Sequence, residues 1–130
     1  MIYLDSCVLI YLIEGVPRWR DEVRRAMAAA GGPFCISAMV KCECLVGPSR
    51  DADLRLRQRY LALFDQFTSV PLPEAAYLQA AELRGRYGLR TPDALHLACA
   101  QHHDCDALWT NDARLARASG GLSRSLDLRD

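Results

Sequence analysis

Four short apolar runs, Ile2–Leu4, Phe34–Ile36, Ser69–Leu72 and Ala107–Thr110, recur along the chain with helical patterns between them. Short β-prone runs alternating with helices predict a parallel sheet covered on both faces. The 130 residues suit one domain with one core. The fold expected is an α/β three-layer sandwich with a central parallel sheet of four to five short strands. Ser125–Leu128 is the candidate fifth strand, and the prolines around Ser69–Leu72 suggest a sheet edge.

Punctuation marks the helices. Val8–Ile13 begins one that Gly15-Val16-Pro17 ends. The next runs from Pro17 to Gly31-Gly32, with an apolar stripe at Trp19, Val23, Met27 and Ala30. Ser37 reads as the N-cap of a helix ending at Gly47-Pro48. A long helix with Arg on its outer face is expected over Asp51–Phe67. Pro73 opens another, which Gly88 closes. Thr91 reads as the cap of the following one, with Pro92 in its first turn. Asn111 or Asp112 caps a short helix through Ala118.

A formal net charge of +0 leaves no overall basic field to hold a nucleic acid, so any polyanion contact needs a local patch. Every basic residue except Lys41 is Arg, which grips phosphate bidentately. Nothing ahead of Ile2 reads as a leader, and no apolar run approaches the roughly 18 residues of a membrane span. The expected compartment is the cytoplasm, with reduced thiols. Cys7, Cys35, Cys42, Cys44 and Cys99 lie among apolar residues and read as small core hydrophobes.

Parallel sheets bind ligands outside the carboxyl ends of their strands. Asp5 follows the first strand and Asp112 the fourth. Asp93 lies in the first turn of a helix. Glu43 has Met39 and Val46 as neighbours on one helical face, so it projects from an apolar stripe. Each acid also has a structural explanation. Asp93 can serve the helix dipole, Asp112 an N-cap, Asp5 a turn, and Glu43 an ion pair with an Arg. Should they converge at one sheet edge, their repulsion calls for a cation. Oxygen ligands favour Mg²⁺ or Mn²⁺ over zinc, as one or two ions. Such an ion polarises phosphate and acidifies water, so no histidine is required as a base. Ser6, Thr91, Thr110 and Asn111 accompany the acids and could orient ligands or waters.

These motifs resemble the PIN-domain nucleases, most closely the VapC-type toxins of toxin–antitoxin pairs. "YLDSCVLIYLIE" is similar to the family's opening strand and helix, with Asp5 as its first acid. "ISAMVKCECLVG" supplies the Glu, at Glu43. "TPDALHLACA" supplies Asp93, and "LWTNDARLA" supplies Asp112. Cys7 departs from the pattern, standing where the family often has Asn or Ser. The resemblance covers nearly the whole chain. It implies a single PIN-like nuclease domain over residues 1–130, a metal-dependent endoribonuclease in which Asp5, Glu43, Asp93 and Asp112 hold the ions and carry catalysis. It also implies a homodimer, a cognate antitoxin, and an RNA substrate such as tRNA, rRNA or mRNA.

Three other readings compete. A phosphoacceptor receiver domain needs a lysine late in the sheet, and Lys41 lies on an early helix. A zinc-binding interaction module could draw on His96, Cys99 and His103, which share a helix face, with Cys105 close by. Against it, His96 and Cys99 read as core residues and the His102-His103 pair as a solvated helix end. The third alternative is a PIN-like module without catalysis.

Overall fold

The apolar run Ile2–Leu4 forms β1, the centre of a five-stranded parallel sheet in the computed structural model, which describes residues 1–125. β2 is Phe34–Ile36, β3 Thr68–Ser69, β4 Ala107–Thr110 and β5 Ser123–Ser125. The sheet order is β3-β2-β1-β4-β5. Ile2 pairs with Phe34 on one side and with Ala107 on the other. The chain therefore moves outward from β1 to β3, returns past β1, and continues outward on the other side. The switch point lies between β1 and β4.

Seven helices complete the order: α1 Ser6–Glu14, α2 Pro17–Ala30, α3 Ala38–Arg50, α4 Leu54–Phe64, α5 Glu74–Tyr87, α6 Thr91–His102 and α7 Ala113–Ala118. α1 packs on α2 and α3, and α3 on α4; α6 packs on α5 and α7. α1 and α6 both reach β4. Right-handed crossovers on the two sides of a switch point put their helices on opposite faces, which gives the three-layer α/β/α sandwich. Tyr3, Leu4, Cys35, Ile36 and Leu108 are fully buried, as strands covered on both faces require.

Several boundaries differ from the sequence expectation. α3 runs through Gly47-Pro48 to Arg50. Pro48 forgoes only the hydrogen bond to the Cys44 carbonyl, and its buried ring packs in return. α4 is shorter than residues 51–67, because the Asp53 side chain caps it by accepting from the Leu56 N–H. β3 is two residues long and ends before the prolines, at the expected sheet edge. Arg90 holds the cap position of α6, and Thr91 is its exposed first residue. Ser37 does occupy the cap position of α3, but its side chain makes no capping bond. The last strand comes two residues early, and Leu126–Leu128 lie outside the described residues.

Two burial expectations also fail. The buried stripe of α3 is Val40, Cys44 and Pro48, so Cys42 turns outward and is exposed. Val46 is exposed as well, which puts Glu43 on the rim of the core and not in an apolar stripe.

Candidate active site

The sheet sets the site. Asp5, Ser37 and Asn111 each follow the last residue of a strand, so the parallel register delivers them to one edge. Asp5 lies at the switch point. It is 8% exposed and is the N-cap of α1. Its Oδ1 accepts from the Ser6 backbone N–H at 2.7 Å and from the Ser6 hydroxyl at 3.3 Å. Its Oδ2 accepts from the Thr110 hydroxyl at 2.7 Å. A buried carboxylate needs such donors, and these also fix its direction.

Glu43 reaches the same place from α3, with its side chain 35% exposed. Its partner is His96, and among the described residues no Arg fills the role that a buried ion pair would require. The His96 Nε2 lies 2.5 Å from Glu43 Oε1 and 3.5 Å from Asp5 Oδ1. Ligand atoms of Asp5, Glu43 and His96 all fall within 4.8 Å of one another, the one group of this kind among the described residues. Burial works against the His96 cation, but the Glu43 hydrogen bond and the charges of Asp5, Glu43 and Asp93 outweigh it. Its pKa is raised.

Asp93 and Asp112 flank this group without joining it. Asp93 is buried in the first turn of α6, one turn before His96, and accepts from the Arg90 Nε at 3.1 Å. Arg90 itself is 67% exposed. Asp112 caps α7, accepting from the Arg114 N–H at 2.9 Å, with the Arg114 Nε 3.5 Å away. It is tied to Asp5 through Thr110, whose hydroxyl accepts from the Asp112 N–H at 3.1 Å.

Of the accompanying polar residues, Ser6 and Thr110 hold Asp5. Asn111 instead donates to the Tyr11 hydroxyl at 2.8 Å, and exposed Thr91 stands apart. Beside Thr110, burial and then the Asp5 charge push the Cys7 thiol up to about 12, so it stays neutral. His96 is the residue that sequence reasoning placed in the core and not in the site. It is indeed buried, yet its Nε2 faces the carboxylates. The available signal was its spacing three residues after Asp93, which puts both side chains on one helical face.

The rival constellations do not form. His103 donates to the Pro71 carbonyl at 2.6 Å, the Cys99 thiol also turns to that carbonyl, and His96 is engaged by Glu43, so no zinc group assembles on α6. Lys41 donates to the Ser69 hydroxyl at 2.8 Å, tying α3 to the edge strand.

Two carboxylates with ligand oxygens within 4.8 Å of each other are a donor pair that fits a divalent cation. A family model of the PIN domain matches residues 2–121. A search of curated proteins gave no match. Among solved structures, a toxin–antitoxin complex from Klebsiella pneumoniae superimposes with TM-score 0.80 at 25% identity, over 96% of this chain and 97% of that one. VapBC2 from Rickettsia felis, bound to a DNA fragment from its promoter, gives TM-score 0.80 at 21% identity over 98% and 100% of the two chains. Mycobacterium tuberculosis VapC20, a sarcin–ricin loop cleaving toxin, gives 0.75 at 17% over 91% and 95%. With the family model spanning nearly all of it, and with the parallel sheet and acidic switch point that the motifs require, the chain belongs to the PIN-domain family.

Proposed function

We propose that this chain is a metal-dependent endoribonuclease, the toxin of a VapBC-type pair, acting in the cytoplasm as one nuclease domain over residues 1–130. The observation that carries the reading is the meeting of Asp5 and Glu43 at the β1/β4 switch point, with Asp93 one turn before His96 and Asp112 tied to Asp5 through Thr110. Asp5, Glu43 and Asp93 would hold one or two Mg²⁺ or Mn²⁺ ions, and Asp112 would act at longer range. A bound ion of this kind supplies charge to the scissile phosphate and acidity to a water. The protein's own part is to hold its carboxylates oriented. Ser6 and Thr110 do this for Asp5, and His96 for Glu43.

With no net charge to attract RNA, local cations must do so. Arg90 and Arg114 stand beside Asp93 and Asp112, each more than half exposed, and offer guanidinium groups to an RNA backbone next to the acids. Likeness to toxin–antitoxin complexes supports a cognate antitoxin as partner, and the family supports a homodimer. VapC20 is a sarcin–ricin loop cleaving toxin, which supports an RNA substrate here, tRNA, rRNA or mRNA.

The test is cleavage of single-stranded or looped RNA with Mg²⁺ or Mn²⁺, with and without chelator. Asp5→Asn, Glu43→Gln and Asp93→Asn should each abolish cleavage while the fold persists by circular dichroism, and Asp112→Asn should be milder. Wild type should gain about 2.7 kcal/mol of stability at a hundredfold excess of Mn²⁺ over Kd, and the three variants much less. Cleavage that persists in excess EDTA would sink the reading, as would equal Mn²⁺ shifts in all four proteins.

A further inference from the structure

We propose that Ser37, Tyr3 and His96 form a hydrogen-bonded relay that fixes the Glu43 carboxylate, with His96 a positioning residue and not a metal ligand. The proposal rests on the metal reading of the site and assigns to a core residue the orientation of one of its acids.

The relay draws on three separate elements. Tyr3 comes from the central strand, Ser37 from the residue after β2, and His96 from α6. Ser37 Oγ lies 2.8 Å from the Tyr3 hydroxyl, which lies 2.8 Å from His96 Nδ1. The far side of the ring meets Glu43 at 2.5 Å. Tyr3 and Ser37 are fully buried and His96 nearly so. Three polar side chains in a core cost stability unless each is paired, and here every member is.

Ser37 adds an independent sign. It stands at the N-cap of α3, where a serine ordinarily accepts from the first turn, and it makes no such bond. Its hydroxyl serves Tyr3 instead.

Proton accounting gives the direction. With neutral His96, Ser37 donates to Tyr3, Tyr3 donates to Nδ1, and the Nε2–H donates to Glu43. With His96 charged, the first two bonds reverse, since both hydroxyls can donate or accept, while the Nε2–H stays on Glu43. The other neutral tautomer, with Nδ1–H donating to Tyr3, would set an Nε2 lone pair against the Glu43 carboxylate 2.5 Å away, so Nε2 carries its hydrogen in both states this geometry favours. The ring is therefore a donor toward Glu43, and it fixes that carboxylate beside Asp5 without binding the ion. Burial pushes the Tyr3 phenol well above its ordinary range, so it keeps its proton throughout.

Three measurements test this. In metal-free wild type, long-range proton–nitrogen NMR correlations of His96 should report a protonated Nε2. Pulsed electron paramagnetic resonance of the Mn²⁺-loaded wild type should show no directly bound nitrogen. By calorimetry, Tyr3→Phe, which keeps the ring's packing, should weaken Mn²⁺ binding about tenfold. His96→Leu should weaken it at least as much, and His96→Gln, which restores an N–H donor, should recover most of the loss. A directly coordinated nitrogen, an unprotonated Nε2, or Tyr3→Phe binding within twofold of wild type would each overturn the relay while leaving the metal reading intact. A wild type that binds no Mn²⁺ would overturn both. The two spectroscopic readouts use wild type alone, so they decide the matter even if a variant fails to fold.

Discussion

Thr110→Val removes one hydroxyl from the centre of the site without changing the volume of the side chain. Thr110 is fully buried at the end of β4, and its hydroxyl works in both directions. It donates to Asp5 Oδ2 at 2.7 Å and accepts from the Asp112 N–H at 3.1 Å. A hydrogen bond to a charged group contributes about 1.5–3 kcal/mol, and stranding the half-buried Asp112 N–H costs about 1 kcal/mol more. The two together predict a loss of about 2.5–4 kcal/mol, a large share of the roughly 5–15 kcal/mol that holds a domain folded. Thr110→Ser keeps the hydroxyl and drops a methyl, and should cost only about 1 kcal/mol. The assay is urea unfolding in EDTA, followed by circular dichroism, with the slope checked for equality so that midpoints report stability. Repeating Thr110→Val in an Asp5→Asn background should roughly halve its cost, because the bond is then no longer charge-assisted. A loss below about 0.5 kcal/mol, or a serine variant as unstable as the valine, would refute the claim that this hydroxyl holds Asp5.

The raised pKa of His96 has a pH consequence for the metal-free protein. The folded value lies above the unfolded one near 6.5, so the contribution is fully present below about pH 6.5 and is lost as pH rises through the folded value. Urea midpoints of EDTA-treated wild type should therefore fall relative to His96→Gln as pH rises above about 6.5, and a constant difference would count against the assignment. Gly15→Ala should cost about 1–3 kcal/mol by thermal melting. A Cβ there would lie 2.4 Å from the Tyr11 carbonyl oxygen that the Gly15 N–H bonds at 3.0 Å, so a neutral substitution would mean that α1 ends differently.

Much of the fold follows from short-range signals. Alternating β-prone runs and helices announce a parallel sheet, and a parallel register carries residues just after the strands to one edge. That is why Asp5 and Asp112 could be placed from the chain alone. The errors of boundary arose where local signals compete. Pro48 breaks helices in general but is tolerated close to a helix end, and Asp53 outcompetes Asp51 as the cap of α4. Cys42 and Val46 look like core residues by type, and only the packed face of α3 shows that they are not.

The sequence by itself determined the layers and the strand edge that Asp5 and Asp112 follow, because periodicity and caps act within a few residues of each other. The tertiary structure alone decided which groups meet. Glu43 and His96 are 53 residues apart, and Tyr3 and His96 93. No local pattern around His96 states that its Nε2 will face two carboxylates, since that depends on α6 and α3 packing at one end of β1. A local pattern does announce Asp112 as the cap of its own helix, but none states that its backbone N–H will join Asp5 through Thr110. Hydrogen bonds form over about 3 Å of space whatever the separation along the chain. The members of this site are therefore chosen by strand order, which placed β4 beside β1.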